Sequence, residues 1–214
     1  VPGLFITFEG GEGAGKSTQV RHLEAHLREG GYDVVRTREP GGTPGAEALR
    51  EFLLFGGHDL SLRAEIMSHF AARCDHVDRL IRPALARGQV VICDRFVDST
   101  LAYQGYGLGK GDPRILDLIR TLGTQVGVVP DMTFVLTLPR AQALVRLAAR
   151  GQSSDRYEAA DEAFHARVAD GFDAIARADP GRCLSVAADR PADAVARDIA
   201  VRVDACLAAH PGPA

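Results

Sequence analysis

The run "LFIT" at residues 4–7, followed by "FEGGEGAGKST" at 8–18, constrains this chain more than any other stretch. Residues 10 to 17, "GGEGAGKS", fit G-x-x-x-x-G-K-[ST], with Gly10, Gly15, Lys16 and Ser17 at the fixed positions. A loop so poor in side chains binds through its backbone. Where such a loop leaves a strand and opens a helix, successive N–H groups and the positive helix end converge on one anion. Glycine recurs because a Cβ obstructs both the unusual φ values and the approach of phosphate oxygens. Gly10, Gly11, Glu12, Gly13, Ala14, Gly15, Lys16, Ser17 and Thr18 are therefore read as the cradle for a nucleoside triphosphate. In this reading Lys16 reaches the β and γ phosphates, and the Ser17 hydroxyl joins a Mg²⁺ shell. The ordinary alternative, a glycine-rich turn with a surface lysine, fits the strand–loop–helix context poorly.

The rest of the chain repeats the rhythm of a parallel α/β sheet. Five short apolar runs are expected strands: 4–10, 33–39, 89–95, 131–138 and 182–188. Between them, "KSTQVRHLEAHLREGG" puts Val20, Leu23 and Leu27 on one helical face and stops at Gly30–Gly31. A long helical pattern over 60–88 meets Pro83, where a kink or short break is expected. Further helices are expected near 112–124, 139–150 and 191–209. "EAADEAFHARVADGFDAIARAD" carries Phe164, Val168, Phe172 and Ile175 on another apolar stripe. The polar, arginine-bearing stretch around 146–160 reads as a mobile lid on one domain spanning 1–214, and "HPGPA" as a frayed tail.

A phosphate loop alone does not separate a GTPase, a motor ATPase and a small-molecule kinase. No N-K-x-D guanine motif occurs, and the strand "QVVICDR" ends in Asp94–Arg95 rather than a paired acidic end. Asp94 can hold Mg²⁺, and Arg95 offers a bidentate fork for a second phosphate; a plain strand-end salt bridge is the alternative. Arg38, Glu39 and Arg50 in "TREPGGTPGAEALR" follow the second strand, where open α/β sheets place ligands. With a net charge of −3, nothing favours polymeric nucleic acid. Cys74, Cys93, Cys183 and Cys206 lack CxxC pairing, which argues against a zinc site or disulfide framework. No stretch is long and apolar enough to span a membrane, and a cytoplasmic protein is expected.

"FEGGEGAGKST", "TREPGGT", "FAAR", "DRFVDSTLAYQG" and "ARGQSSDRYE" occur in the order and spacing of bacterial thymidylate kinases, and the chain resembles that family from about residue 4 to 175. The resemblance implies a P-loop three-layer fold with a five-stranded parallel sheet, and transfer of phosphate from ATP, with Mg²⁺, to dTMP. It assigns Glu39 to the deoxyribose 3′-hydroxyl, Arg50 and Arg95 to the acceptor phosphate, and Asp94 to Mg²⁺. Ser99, Thr100 and Gln104 line the base and phosphate pocket, Tyr103 crowds the sugar 2′ position, and Arg73 bonds the thymine carbonyl edge. It also implies a homodimer packed through helices near 62–80.

One departure concerns the base. The family places Phe four residues before that arginine, to stack on thymine, whereas this chain has His69, with Phe70 about 100° round the helix. Either His69 stacks, or the helix presents Phe70; Phe70 as plain core is the third reading. The phosphate loop carries no basic residue at 11–14, the pattern of the subtype that supplies arginines from its lid. Arg150 and Arg156, helped by Arg146, are then expected over the transferring phosphoryl group. Glu12 and Glu158 are weaker candidates for ordering water or Mg²⁺. The remaining histidines, His76 and His165 among them, read as surface or capping residues. Two rival readings are a P-loop kinase for another acceptor and a slow ATP-hydrolysing switch.

Overall fold

Each of the five apolar runs becomes a strand, one or two residues shorter than expected at its ends: β1 (Phe5–Glu9), β2 (Val34–Arg38), β3 (Val90–Asp94), β4 (Met132–Thr137) and β5 (Cys183–Ala187). In the computed structural model, which describes residues 3–150 (without the Arg150 side chain) and 156–209, they form one parallel sheet in the order β2-β3-β1-β4-β5. Residues 151–155 of the expected lid, and the tail 210–214, lie outside the described residues.

Around the sheet run α1 (Lys16–Glu29), α2 (Pro44–Phe55), α3 (Leu62–His76), α4 (Arg82–Ala86), α5 (Val97–Thr100), α6 (Pro113–Val126), α7 (Arg140–Arg150), α8 (Glu162–Ala178) and α9 (Ala192–Ala209). Strand alternation sorts the core into layers. Ile6, Phe8, Ile92, Phe134 and Leu136 pack on Val20, Leu23 and Leu27 of α1 and on Val195, Ile199 and Val203 of α9. Their neighbours Phe5, Val91 and Cys93 face Ile66 and Phe70 of α3 and Ile119 of α6. Val135 and Cys183 meet Phe164, Val168, Phe172 and Ile175, the stripe of α8.

Pro83 does not break the long helix. A π-helical segment, Val77–Ile81, precedes it and joins α3 to α4, so the ladder changes register just before the residue that has no N–H to donate. Two helical stretches have no sequence expectation. α2 is capped by Thr43, whose Oγ1 accepts from Ala46 N at 3.2 Å. α5 runs into a second π-helical segment, Leu101–Leu108. Gly107 is needed there for packing: a Cβ would stand 2.6 Å from the Phe164 ring. This stretch sets Tyr103 against Phe164 and Phe172 of α8 and Gln104 beside Glu65 of α3.

Candidate active site

The glycine loop leaves central strand β1 at its C-terminal end. Gly10 has φ 129°, and a Cβ there would lie 2.3 Å from the Leu136 carbonyl oxygen. Only glycine fits that position. Gly15 caps α1 without any side-chain hydrogen bond, so no side chain competes for the first-turn N–H groups. Lys16 Nζ donates to the carbonyls of Gly10 (3.0 Å) and Gly11 (2.9 Å), and burial, followed by the Arg95 charge, lowers its pKa. Ser17 Oγ donates to Asp94 Oδ2 at 2.7 Å. A hydroxyl and a carboxylate side by side at the loop are hard oxygen ligands of the kind Mg²⁺ takes together with phosphates and water. The residues present therefore fit that ion.

Arg95, just beyond β3, has φ 75°. Its Nη1 donates to the Gly10 carbonyl and to Ser99 Oγ, both at 3.1 Å. Nη2 donates to Glu12 Oε1 at 2.6 Å and to the Tyr103 hydroxyl at 3.1 Å, and Tyr103 in turn donates to Glu12 at 2.8 Å. Burial opposes its charge, but Glu12, Tyr103, Asp94 and Glu9 together hold its pKa above the ordinary arginine range. One cavity of about 730 Å³ runs from this fork and from Lys16 past Glu39, Arg50, His69, Arg73, Ser99, Thr100, Tyr103 and Gln104. Every expected acceptor residue but Phe70 lines it.

Phe70 is the exception and a correction: it is 4% exposed, packed with Phe5 and Ile66 and covered by the Arg73 guanidinium at 4.8 Å. His69, not Phe70, faces the cavity. Arg73 is held by its Nε donating to Glu39 Oε2 (2.6 Å) and its Nη2 donating to the Phe96 carbonyl (3.1 Å) and Thr100 Oγ1 (3.0 Å). Its buried Nη1 has no hydrogen-bond partner among the described residues. A second correction is His76, which is fully buried rather than a surface residue. Its Nδ1 bonds Glu39 Oε1 at 3.0 Å and its Nε2 bonds Thr37 Oγ1 at 2.7 Å. His165, 8% exposed, is likewise no surface residue. Arg50 Nη1 reaches the Pro40 carbonyl at 2.9 Å.

Glu65 and Tyr157 have no place among the sequence-based expectations, yet Tyr157 lines the cavity and buried Glu65 bonds to it from behind. The Tyr157 hydroxyl donates to Glu65 Oε1 at 2.7 Å and accepts from Gln104 Nε2 at 3.0 Å. Its one proton is thus used, so His69 Nε2, 3.1 Å away, is the donor and carries the ring proton. Burial, then the charges of Arg73 and Arg156, lower the His69 pKa to about 3. Below pH 6.5 the unfolded chain binds a proton at this position that the folded chain refuses, so stability falls as pH drops from about 6.5 toward 3. Relative to His69→Phe, the wild type should lose on the order of 1–2 kcal/mol between pH 7 and pH 5 in urea denaturation. A pH-independent difference would contradict a neutral His69.

In the stretch expected to form a lid, Arg146 Nη2 donates to the Ala188 carbonyl at 2.8 Å while its other amino group flanks Gly15. Arg146, Leu147, Tyr157 and Glu158 line the cavity. Arg156 pairs with Glu65 at 3.1 Å and lies over the Tyr157 ring. The side chain of Arg150 lies outside the described residues.

A parallel sheet with this strand order, a phosphate loop leaving its central strand and an arginine-lined cavity beside that loop define a P-loop nucleotide kinase. The sequence model of the family "Thymidylate kinase" matches residues 8–199. The chain is 61% identical to the thymidylate kinase of Gluconobacter oxydans over 193 residues, 90% of each chain. It is 52% identical to that of Caulobacter vibrioides, over 90% of this chain and 92% of the relative. The crystal structure of thymidylate kinase from Ehrlichia chaffeensis superposes with a TM-score of 0.77 at 36% identity, covering 95% of this chain and 99% of the other. The chain belongs to the thymidylate kinase family.

Proposed function

We propose that the protein transfers the γ-phosphoryl group of ATP to dTMP, giving dTDP and ADP for dTTP synthesis. The observation that carries this reading, beside family membership, is the unpaired Nη1 of buried Arg73 in a cavity that begins at the phosphate loop. A buried donor without a partner costs stability unless a ligand satisfies it, and a base carbonyl is such an acceptor.

In this account the loop from Gly10 to Thr18 and Lys16 hold the donor phosphates. Arg50 and Arg95 hold the acceptor phosphate, in line with the γ-phosphorus. Ser17 and Asp94 would hold Mg²⁺, which would supply positive charge to offset that of the donor phosphates. No covalent enzyme intermediate is required, because positioning and charge stabilisation suffice. Glu39 receives the 3′-hydroxyl; each of its oxygens already accepts one bond and retains a second lone pair. Tyr103 blocks a 2′-hydroxyl, Thr100 and Gln104 border the base, and His69 stacks on it. Arg150 and Arg156, with Arg146, bring positive charge to the transferring group when the lid closes, which for Arg156 means leaving Glu65.

Incubation with ATP and dTMP should yield ADP and dTDP in equal amounts, with no ADP formed when dTMP is omitted. ADP release indifferent to dTMP would instead mark an ATP-hydrolysing switch. Replacing His69 by Phe should lower the Kd for dTMP about 3- to 10-fold, the worth of better aromatic stacking. An unchanged Kd by calorimetry would remove His69 from the base wall. We also propose a cytoplasmic homodimer packed through α3. Met67, half exposed on that helix, supports the packing, and light scattering after size exclusion tests the assembly.

A further inference from the structure

Glu9 ends β1 one residue before the phosphate loop, and the transfer described above gives it no part. It is fully buried. Its Oε1 accepts the N–H groups of Phe96 (2.7 Å) and Ser99 (3.2 Å), and its Oε2 meets Ser99 Oγ at 2.5 Å. All three groups lie on the C-terminal side of Arg95. Among the described residues only Arg95 and Lys110 are non-glycine residues with positive φ. A side chain held in that region persists where its surroundings over-determine the backbone. Here the Arg95 N–H is tied to the Phe8 carbonyl at 2.9 Å, and Glu9 ties the residues that follow. Ser99 Oγ, bonded to Glu9, also accepts from Arg95 Nη1. One buried carboxyl therefore fixes both the turn that carries Arg95 and one contact of its fork.

We propose that Glu9 is a positioning residue for Arg95, holding the 95–99 turn in the backbone geometry that lets the guanidinium span the phosphate loop and the acceptor pocket. This rests on the reading of Arg95 as an acceptor-phosphate ligand. The groups facing Glu9 fit such a role. Asp98, from α5, is occupied by Arg182 at 2.6 Å, while Arg95 is occupied by Glu12. Burial, and then the Asp98 charge, raise the Glu9 pKa to about 8. Oε1 takes the two N–H groups and Oε2 accepts the Ser99 O–H, so the Ser99 oxygen keeps its lone pairs for the Arg95 fork.

Glutamine keeps that reach, with a carbonyl for the two N–H groups and an amide N–H that meets Ser99 Oγ with the bond direction reversed. Alanine abolishes it, and aspartate keeps the acid but falls one methylene short. Glu9→Ala and Glu9→Asp should each raise the KM for dTMP about 10- to 100-fold, the effect of misplacing a binding group by about 1 Å, and leave the KM for ATP within about twofold. Glu9→Gln should recover most of the loss. In an Arg95→Ala background, Glu9→Asp should add less than about twofold, because the two substitutions act through one group. The proposal is overturned if Glu9→Gln is as damaging as Glu9→Asp, if dTMP and ATP constants rise together, or if the two substitutions multiply. If Arg95→Ala alone leaves dTMP kinetics intact, the reading of Arg95 fails first, and Glu9→Asp in the wild-type background still reports whether Glu9 matters. Should the alanine variant not fold, the aspartate and glutamine pair decides.

Discussion

Arg95→Ala is expected to lower kcat/KM for dTMP about 10²- to 10³-fold, the usual loss when a donor aimed at developing charge is removed, while ATP affinity changes little. Arg95 touches the donor loop through the Gly10 carbonyl and the Glu12 carboxylate, whereas the phosphate contacts of that loop are assigned to its backbone N–H groups and Lys16. Its other bonds go to Ser99 and Tyr103, which line the cavity. Arg95→Lys should recover only part of the loss, because an ammonium restores the charge but not the planar fork. Steady-state kinetics with dTMP varied at saturating ATP, and equilibrium binding of ATP, make the comparison. Unchanged dTMP kinetics in Arg95→Ala would remove Arg95 from the acceptor phosphate.

The second large effect concerns stability as well as binding. Arg73 and Glu39 form an ion pair in which the two side chains are 3% and 2% exposed. Removing one partner of such a pair costs about 3–5 kcal/mol, because the other charge stays buried without compensation. Arg73→Ala should therefore lower the urea midpoint sharply and abolish measurable dTMP binding. Arg73→Lys separates the two: it keeps a charge near Glu39 but loses the planar fork that reaches Phe96, Thr100 and the cavity together. It should fold better than the alanine variant and still bind dTMP at least about tenfold more weakly. A denaturation midpoint unchanged in Arg73→Ala would show that the pair contributes nothing to the fold.

The strands and the phosphate loop were legible because their signals are local. Apolar runs of seven or eight residues and a motif of fixed spacing need no knowledge of the rest of the chain. The same holds for the stripe Phe164, Val168, Phe172 and Ile175, which reaches the core as its periodicity implies. What escaped depends on partners far along the chain. Glu65 is a lone acid in a helical pattern until Tyr157, 92 positions away, gives it a proton to accept. A pointer did exist: Glu65 sits one helical turn before His69 and shares its face. His76 reads as a surface histidine because its burial is made by Thr37 and Glu39 at the end of β2.

Glu12 shows how the structure sharpens a sequence inference. An acidic, arginine-free loop implies that a lid must bring the positive charge. The fold adds that Glu12 is itself occupied, by Arg95 and Tyr103. The acid in the phosphate loop thus holds Arg95, the residue proposed for the acceptor phosphate, by an ion pair.

The most direct test of the central claim is ADP release measured across dTMP, dUMP, dCMP, dGMP and thymidine under the same conditions. The account predicts the highest kcat/KM for dTMP and the weakest turnover for thymidine, which offers no phosphate to Arg50 and Arg95. Equal or better turnover of another acceptor would contradict it.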